Sequence, residues 1–298
     1  MSRHTTLITI IIVLVAAGGY LLTYAQRLSK TTDWLEQMSG VDDKQATKAM
    51  EQLVAQGRSV YPRVAKHAQN VDAIVRRRSA VVLGQLGQPR AAEVLMPMLN
   101  DPEPAVRAAA AEALGQLRAD DSASKLAQLV ASDTEELAVR ISAARALVSL
   151  AEQTAVSQLA QALAYRPVVG EDQQDDSWLL RVEAARALGA TATPEAIKAL
   201  SDKLTGNEEP NERVRTAMAY ALGDAMTKTG VVEEGAGPAL DALSQAAGDE
   251  VGDVRIAAIN SLLRVSWPAE DTDRVEQVLT QAQSDPHYWV RYAVAPES

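Results

Sequence analysis

The stretch Asp101–Leu117, DPEPAVRAAAAEALGQL, decides the fold. It begins like a helix start and continues as plain helix rich in alanine and leucine. Its core, Val-Arg followed by small residues and Ala-Leu, returns along the chain: VRRRSAVVLG from Val75, VRISAARALV from Val139, LRVEAARALG from Leu180, VRTAMAYALG from Val214, VRIAAINSLL from Val254 and VRYAVAPES from Val290. The arginines are Arg76, Arg107, Arg140, Arg181, Arg215, Arg255 and Arg291. A shared motif at a spacing of about 31–41 residues signals a repeat architecture.

Between copies lies a second amphipathic helix, as in Arg90–Leu99, Ser122–Ala131 and Thr193–Leu204. In the last, Thr193 can cap and Pro194 suits the first helical position. Each unit is therefore helix A, a polar loop and helix B. One such pair cannot bury both apolar faces, so neighbours must stack, which predicts an all-α protein built as an α-solenoid of antiparallel helix pairs. Ala46–Gly57 and Ser59–Asn70 read as a degenerate capping helix and the first helix A. Two inserts break the rhythm: acidic Arg166–Asp176 and Gly-rich Thr227–Gly237.

The DPxPxVR lead-in at Asp101–Arg107 and the AAxALG that follows resemble HEAT repeats, and most of all the short subtype first named for phycobilisome lyase subunits. The resemblance spans about residues 46–298 and implies the solenoid with helix B lining a concave face. Because that subtype includes lyase subunits and scaffolds alike, it implies fold more than function.

Composition agrees with a folded chain. Of 298 residues, 47% are hydrophobic and only 4% aromatic, with no Phe, so the core must be aliphatic and small. The net charge of −10 argues against nucleic acid as a partner, since that affinity rests on cationic neutralisation of phosphates. There is no Cys, which removes disulfides, thiolate catalysis and Cys-bound zinc. Residues 5–24, TTLITIIIVLVAAGGYLLTY, carry no charge and are long enough to cross a bilayer core of ~30 Å as one transmembrane helix. The rival is a cleaved signal peptide, against which the apolar run continues through Leu21 and Leu22. The reading divides the chain into an anchor (1–27), a linker or helical extension from the membrane (28–45) and the solenoid (46–298). A very short basic N-terminal tail favours the body on the periplasmic, extracytoplasmic side, whereas the balance of flanking charge leans slightly to the cytoplasm.

Counting the motif Val as zero, a helical period places positions 0, 4, 7, 8 and 11 in the core, here Val106, Ala110, Ala113, Leu114 and Leu117. The Arg at position 1 is expected to be structural in all seven copies, its guanidinium tying loop carboxylates or carbonyls of its own and adjacent repeats. The acids noted for this role precede it: Asp101, Asp133, Asp176, Glu212, Asp253 and Asp285. Positions 2, 3, 6 and 10 should be exposed. Those varying between copies give a candidate partner surface of Arg78, Glu112, Arg145, Glu183, Arg186, Tyr220 and Asn260. Reversing Arg145 and Arg186 together should then weaken binding and leave stability nearly unchanged. Near the end, Trp289 and Tyr292 are a candidate contact surface, where Val290 and Val294 would lack a following repeat.

No chemistry emerges. His4, His67 and His287 are isolated, and none forms the His-Glu pair through which HEAT-repeat hydroxylases bind iron, so neither metal nor other cofactor is expected. Nucleotide-loop, nucleophile-elbow and zinc-protease strings are missing. The expectation is a non-enzymatic, membrane-anchored HEAT-repeat scaffold that binds protein partners, an accessory subunit of a membrane complex. The alternative is an assembly or cofactor-attachment factor resembling phycobilin lyase subunits.

Overall fold

The computed structural model describes residue 21 and residues 25–295, apart from 152, 168–174, 207 and 230–232. Among them every regular element is helical. None of these helices is long and apolar enough to cross a membrane; the run 5–24 lies outside the described residues except for Leu21. The chain falls into two compact units, Met1–Val94 and Leu95–Ser298.

The first unit holds α1 (25–39), α2 (Asp43–Ala55), α3 (Tyr61–His67) and α4 (Ala73–Gln85). Helix α1 takes up most of the segment read as linker or helical extension, and it buries Thr31, Leu35 and Met38. Asp42 caps α2, accepting from Lys44 N at 2.9 Å and Gln45 N at 3.1 Å. Asp72 caps α4 in the same way through Ile74 N, at 2.8 Å. A carboxylate at this place satisfies orphan amides and meets the positive helix end.

Arg78 departs from its expected place on an exposed face. It is 5% exposed, and its Nη1 donates to the carbonyls of Met38 and Gly40, both at 2.7 Å, while Nη2 meets Asp43 Oδ1 at 2.6 Å. It thus closes the C-terminal end of α1, whose last carbonyls need partners.

After α5 (Ala91–Met98), the second unit alternates outer and inner helices. The outer, helix-A layer is α7 (Ala123–Ala131), α9 (Val156–Ala164), α11 (Pro194–Thr205), α13 (Glu233–Ala246) and α15 (Ala269–Ala282). The helix-B layer is α6 (Pro104–Leu117), α8 (Leu137–Leu150), α10 (Trp178–Thr191), α12 (Glu212–Thr229), α14 (Gly252–Arg264) and α16 (Tyr288–Ala293). Helices of one layer pack side by side in chain order, and α8, α10, α12 and α14 also pack on the A helix of their own pair. Thr193 accepts from Ala196 N at 3.2 Å, with Pro194 opening α11 as its sequence suggests. Helices α6, α8 and α10 end on left-handed residues, Arg118, Ala151 and Ala192, which turn the chain out of the helix.

Each interior B helix is covered on three sides: by its own A helix and by a B helix on either flank. The buried arc is therefore wider than a simple amphipathic stripe. In α6, Val106, Ala110, Ala113 and Leu114 are buried as expected, Leu117 is half-buried, and Ala109, Ala111 and Gly115 are buried as well. Position 3 is buried from α6 to α14, at Ala109, Ser142, Glu183, Ala217 and Ala257, where exposure was expected, and half-buried at Ala293 in α16.

Position 9 sets how closely the B helices approach. A Cβ added at Gly189 would lie 2.7 Å from Ala221 O and 2.8 Å from Ala221 Cα. Gly115 meets Ala146 and Gly223 meets Ser261 at similar range. Gly189→Ala gains helix propensity worth ~1 kcal/mol, but the obstacle is backbone, and overpacking of this kind costs ~1–3 kcal/mol. Net destabilisation is the expected result, read as a lowered urea midpoint; a midpoint at or above that of the parent protein would show that α10 and α12 can part freely.

Candidate partner-binding groove

The helix-B layer is held at its N-terminal edge by the repeated arginines. Arg107 grips Glu135 with two nitrogens, Nε to Oε2 at 2.9 Å and Nη2 to Oε1 at 2.5 Å, while Nη1 donates to the carbonyls of Asp101 and Pro102. Arg215 repeats this fork on Asp249 at 2.8 and 3.0 Å, with carbonyls from Glu209 and Pro210. Arg255 repeats it on Asp285 at 2.7 and 2.9 Å, with carbonyls from Asp249 and Glu250. Arg181 pairs with Glu209 at 3.0 and 3.3 Å and adds Asp175 Oδ2 at 2.8 Å. Arg76 and Arg291 donate to loop carbonyls, Asn70 and Val71 for the one, Asp285 and Pro286 for the other.

The forked carboxylate comes from the loop before the next B helix, not from the loop before the arginine's own. The loops before α12, α14 and α16 thus each offer carbonyls to their own arginine and a carboxylate to the preceding one. Of the acids singled out in the sequence, Asp285 serves as a forked partner, to Arg255. Asp101 and Asp285 also accept from Glu103 N and His287 N, holding their loops, while Glu212 and Asp253 are exposed. The hydrogen bond from Arg255 holds the Asp285 carboxyl below its ordinary range, and the bond to Asp249 raises Arg215. Arg140 differs: its Nε donates to Val130 O at 3.0 Å, the Tyr165 ring covers its guanidinium at 4.2 Å, and Asp133 stands at 3.7 Å.

Away from this edge, α10, α12 and α14 enclose a groove of about 1060 Å³. Trp178, Leu179 and Val182 line it from α10, Thr216 and Tyr220 from α12, and Ile256 from α14. Tyr220 is 37% exposed. Arg213 lies over the Trp178 ring at 4.9 Å, and Arg186, Lys228, Glu212, Asp224 and Asp253 give both signs of charge at the rim. A mostly apolar hollow with a few polar groups is the usual form of a recognition site.

Of the candidate partner residues, Arg186 and Tyr220 line this groove. Asn260 is half-buried on α14 and does not line it. Glu112 and Arg145 line a smaller hollow of about 320 Å³ on α6 and α8. Glu183 is 3% exposed. The charged candidates bind one another: Arg145 lies 3.5 Å from Glu112 and 3.2 Å from Glu183, Arg186 lies 3.6 Å from Glu183, and Ser142 Oγ donates to Glu112 at 2.9 Å. Glu183 is thus a buried carboxylate paired with two half-exposed arginines.

This changes what charge reversal at Arg145 and Arg186 should do. Leaving Glu183 unpaired among new carboxylates is expected to cost about 1–3 kcal/mol. A clear drop in the thermal midpoint is the expected outcome, in place of unchanged stability. Restoring Arg145 alone should recover much of it.

Trp178 and Arg213 were not among the sequence candidates. They precede the motif's first position, so a scan starting at that Val or Leu passes them by. Trp289 and Tyr292 form an exposed cluster with Tyr288 on α16, ring centroids 5.1–6.1 Å apart, while Val290 between them is buried and Val294 half-buried. Among the described residues no group of three His, Asp or Glu side chains is placed to hold a metal ion.

A sequence profile described as HEAT repeats matches residues 61–138, 95–169 and 172–263. No curated protein matches the chain in sequence. Among solved structures, the Kap95:Nup1 complex contains a chain 16% identical with a TM-score of 0.61, covering 89% of this chain and 39% of that one. YibA of E. coli is 19% identical with a TM-score of 0.51, covering 85% of each chain. The complex of CpcE and CpcF of phycocyanin lyase from Nostoc sp. is 19% identical with a TM-score of 0.49, covering 78% of this chain and 91% of that one. At these identities the likeness is one of fold.

Proposed function

The chain belongs to the HEAT-repeat family, and on that premise we propose that it is a membrane-anchored scaffold, an accessory subunit that docks a protein partner of a membrane complex along its helix-B face. The observation that carries this reading is the groove of α10, α12 and α14, where Trp178 and Tyr220 stand over an apolar floor. Tyr and Trp are the side chains that most often anchor protein interfaces, and rim charges of both signs select the register of a partner rather than attract a polyanion. The anchor is the uncharged run 5–24, long enough to span a bilayer. The body faces a periplasm-like space, as the short basic tail before that run suggests.

The full chain, extracted in mild detergent, should carry a protein partner at near-equal stoichiometry, identified by mass spectrometry. Tyr220→Ala should reduce the recovered partner about tenfold, the effect of losing a hot-spot side chain, with an unchanged thermal midpoint. Absence of any stoichiometric protein would remove the scaffold reading; full recovery with Tyr220→Ala would remove the groove. Because the chain has no Cys, a single Cys at exposed Ser284 reports the side of the membrane by labelling of intact cells.

A further inference from the structure

Among the described residues, Arg140 is the deeply buried rung of the ladder that forks no carboxylate, and it lines a cavity instead. Arg107, Arg181, Arg215 and Arg255 each hold a carboxylate with two nitrogens, supplied by the loop before the next B helix. For Arg140 the corresponding loop is the one before α10, and there Asp175 binds Arg181 of its own helix instead. Arg140 keeps one hydrogen bond, from Nε to Val130 O, and its terminal nitrogens make none among the described residues. Asp133, at 3.7 Å, is 80% exposed and beyond hydrogen-bond range. Yet Arg140 is only 3% exposed.

A guanidinium this deeply placed and this poorly partnered is unfavourable unless an anion completes it. The space for one is present. A cavity of about 330 Å³ is lined by Arg140, Tyr165, Thr134, Leu137, Pro167 and Ser177. Tyr165 stacks on the guanidinium face and leaves its edge as the donor surface. Glu135, held by Arg107, and the exposed Glu136 and Asp176 stand at the same cavity. They disfavour a doubly charged ion such as phosphate, so a single planar carboxylate is the group that fits.

We propose that Arg140 and its cavity form a carboxylate-binding site, taking from outside the group that Arg107, Arg181, Arg215 and Arg255 receive from within the chain. The carboxylate can be an acidic side chain of a partner or a small free acid; both present the same fork to Arg140. The site does not depend on the α10–α14 groove, so either can fail alone.

The test uses the full chain in detergent and acetate labelled with ¹³C at the carboxylate. Its signal should broaden in the presence of the protein. The broadening should vanish with Arg140→Met and with Pro167→Glu, which supplies a carboxylate at the cavity. Should Arg140→Met fail to fold, Pro167→Glu decides alone. Equal broadening in a folded variant, or none with the parent protein, overturns the site. If acetate binds only after Glu171→Gln and Asp172→Asn, the carboxylate is the chain's own and the external site is overturned. Two probes separate the sources: capped Ala-Glu-Ala binding tenfold tighter than acetate marks a partner side chain, and equal affinity marks a free acid.

Discussion

Replacing Arg181 by Met lowers the stability of the fold by ~3–5 kcal/mol, the cost of removing one partner from a buried ion pair. Arg181 and Glu209 each leave only 1% of their side chain accessible. The guanidinium also holds Asp175 and donates to Ser177 Oγ at 2.5 Å and to Tyr165 O at 3.3 Å. Once it is gone, Glu209 retains Arg166 and the amide of Asn211. Arg166 is partly exposed and reaches Glu209 through Nη2 to Oε2, where Arg181 had held both carboxylate oxygens, so it replaces only part of the fork. The urea midpoint measures the loss. Adding Glu209→Leu to Arg181→Met should restore a large part of it, because an apolar pair of similar volume does not carry the desolvation penalty. A single variant within about 0.5 kcal/mol of the parent protein, the range of ordinary surface changes, would mean that the rung does not hold the repeats.

Leu114→Ala is the second large loss, ~2–5 kcal/mol. Leu114 is fully buried in α6, and small neighbours such as Ala110 and Ala113 cannot reach into the space it leaves. Leu117→Ala, on the same helix, should cost much less, since Leu117 is half-buried. Comparable denaturation midpoints for the two variants would contradict the burial seen here.

That contrast shows what the sequence could and could not convey. The 3.6-residue period found Val106, Ala110, Ala113 and Leu114, which form one face of the helix. It did not find Ala109, Ala111 or Gly115, the last of which meets Ala146 of the neighbouring B helix α8; a single helix carries no trace of how many neighbours flank it. Arg78 was misplaced for a related reason, since its partners Met38 and Gly40 lie some forty residues away in a segment read as a linker or helical extension. The motif made the arginines legible as a ladder, and its direction was not legible, because acids precede and follow every copy. In the groove, Tyr220 and Arg186 were visible as variable positions, whereas Trp178 and Arg213 fell just outside the counting frame.

The step from α8 to α10 unites three irregularities. The loop is lengthened, Arg140 has no forked carboxylate, and Val148 stands where Gly115, Gly189 and Gly223 allow close approach elsewhere. In an array stabilised by neighbours alone, such a step is the weakest joint. The ion pair that crosses it on the open face is Arg145 with Glu183, and Arg145 is half exposed. Added salt weakens a partly solvated pair of this kind far more than the buried rungs. Ionic strength therefore becomes a dial on one joint of the array, loosening the α6–α8 block from the α10–α14 block while each stays intact.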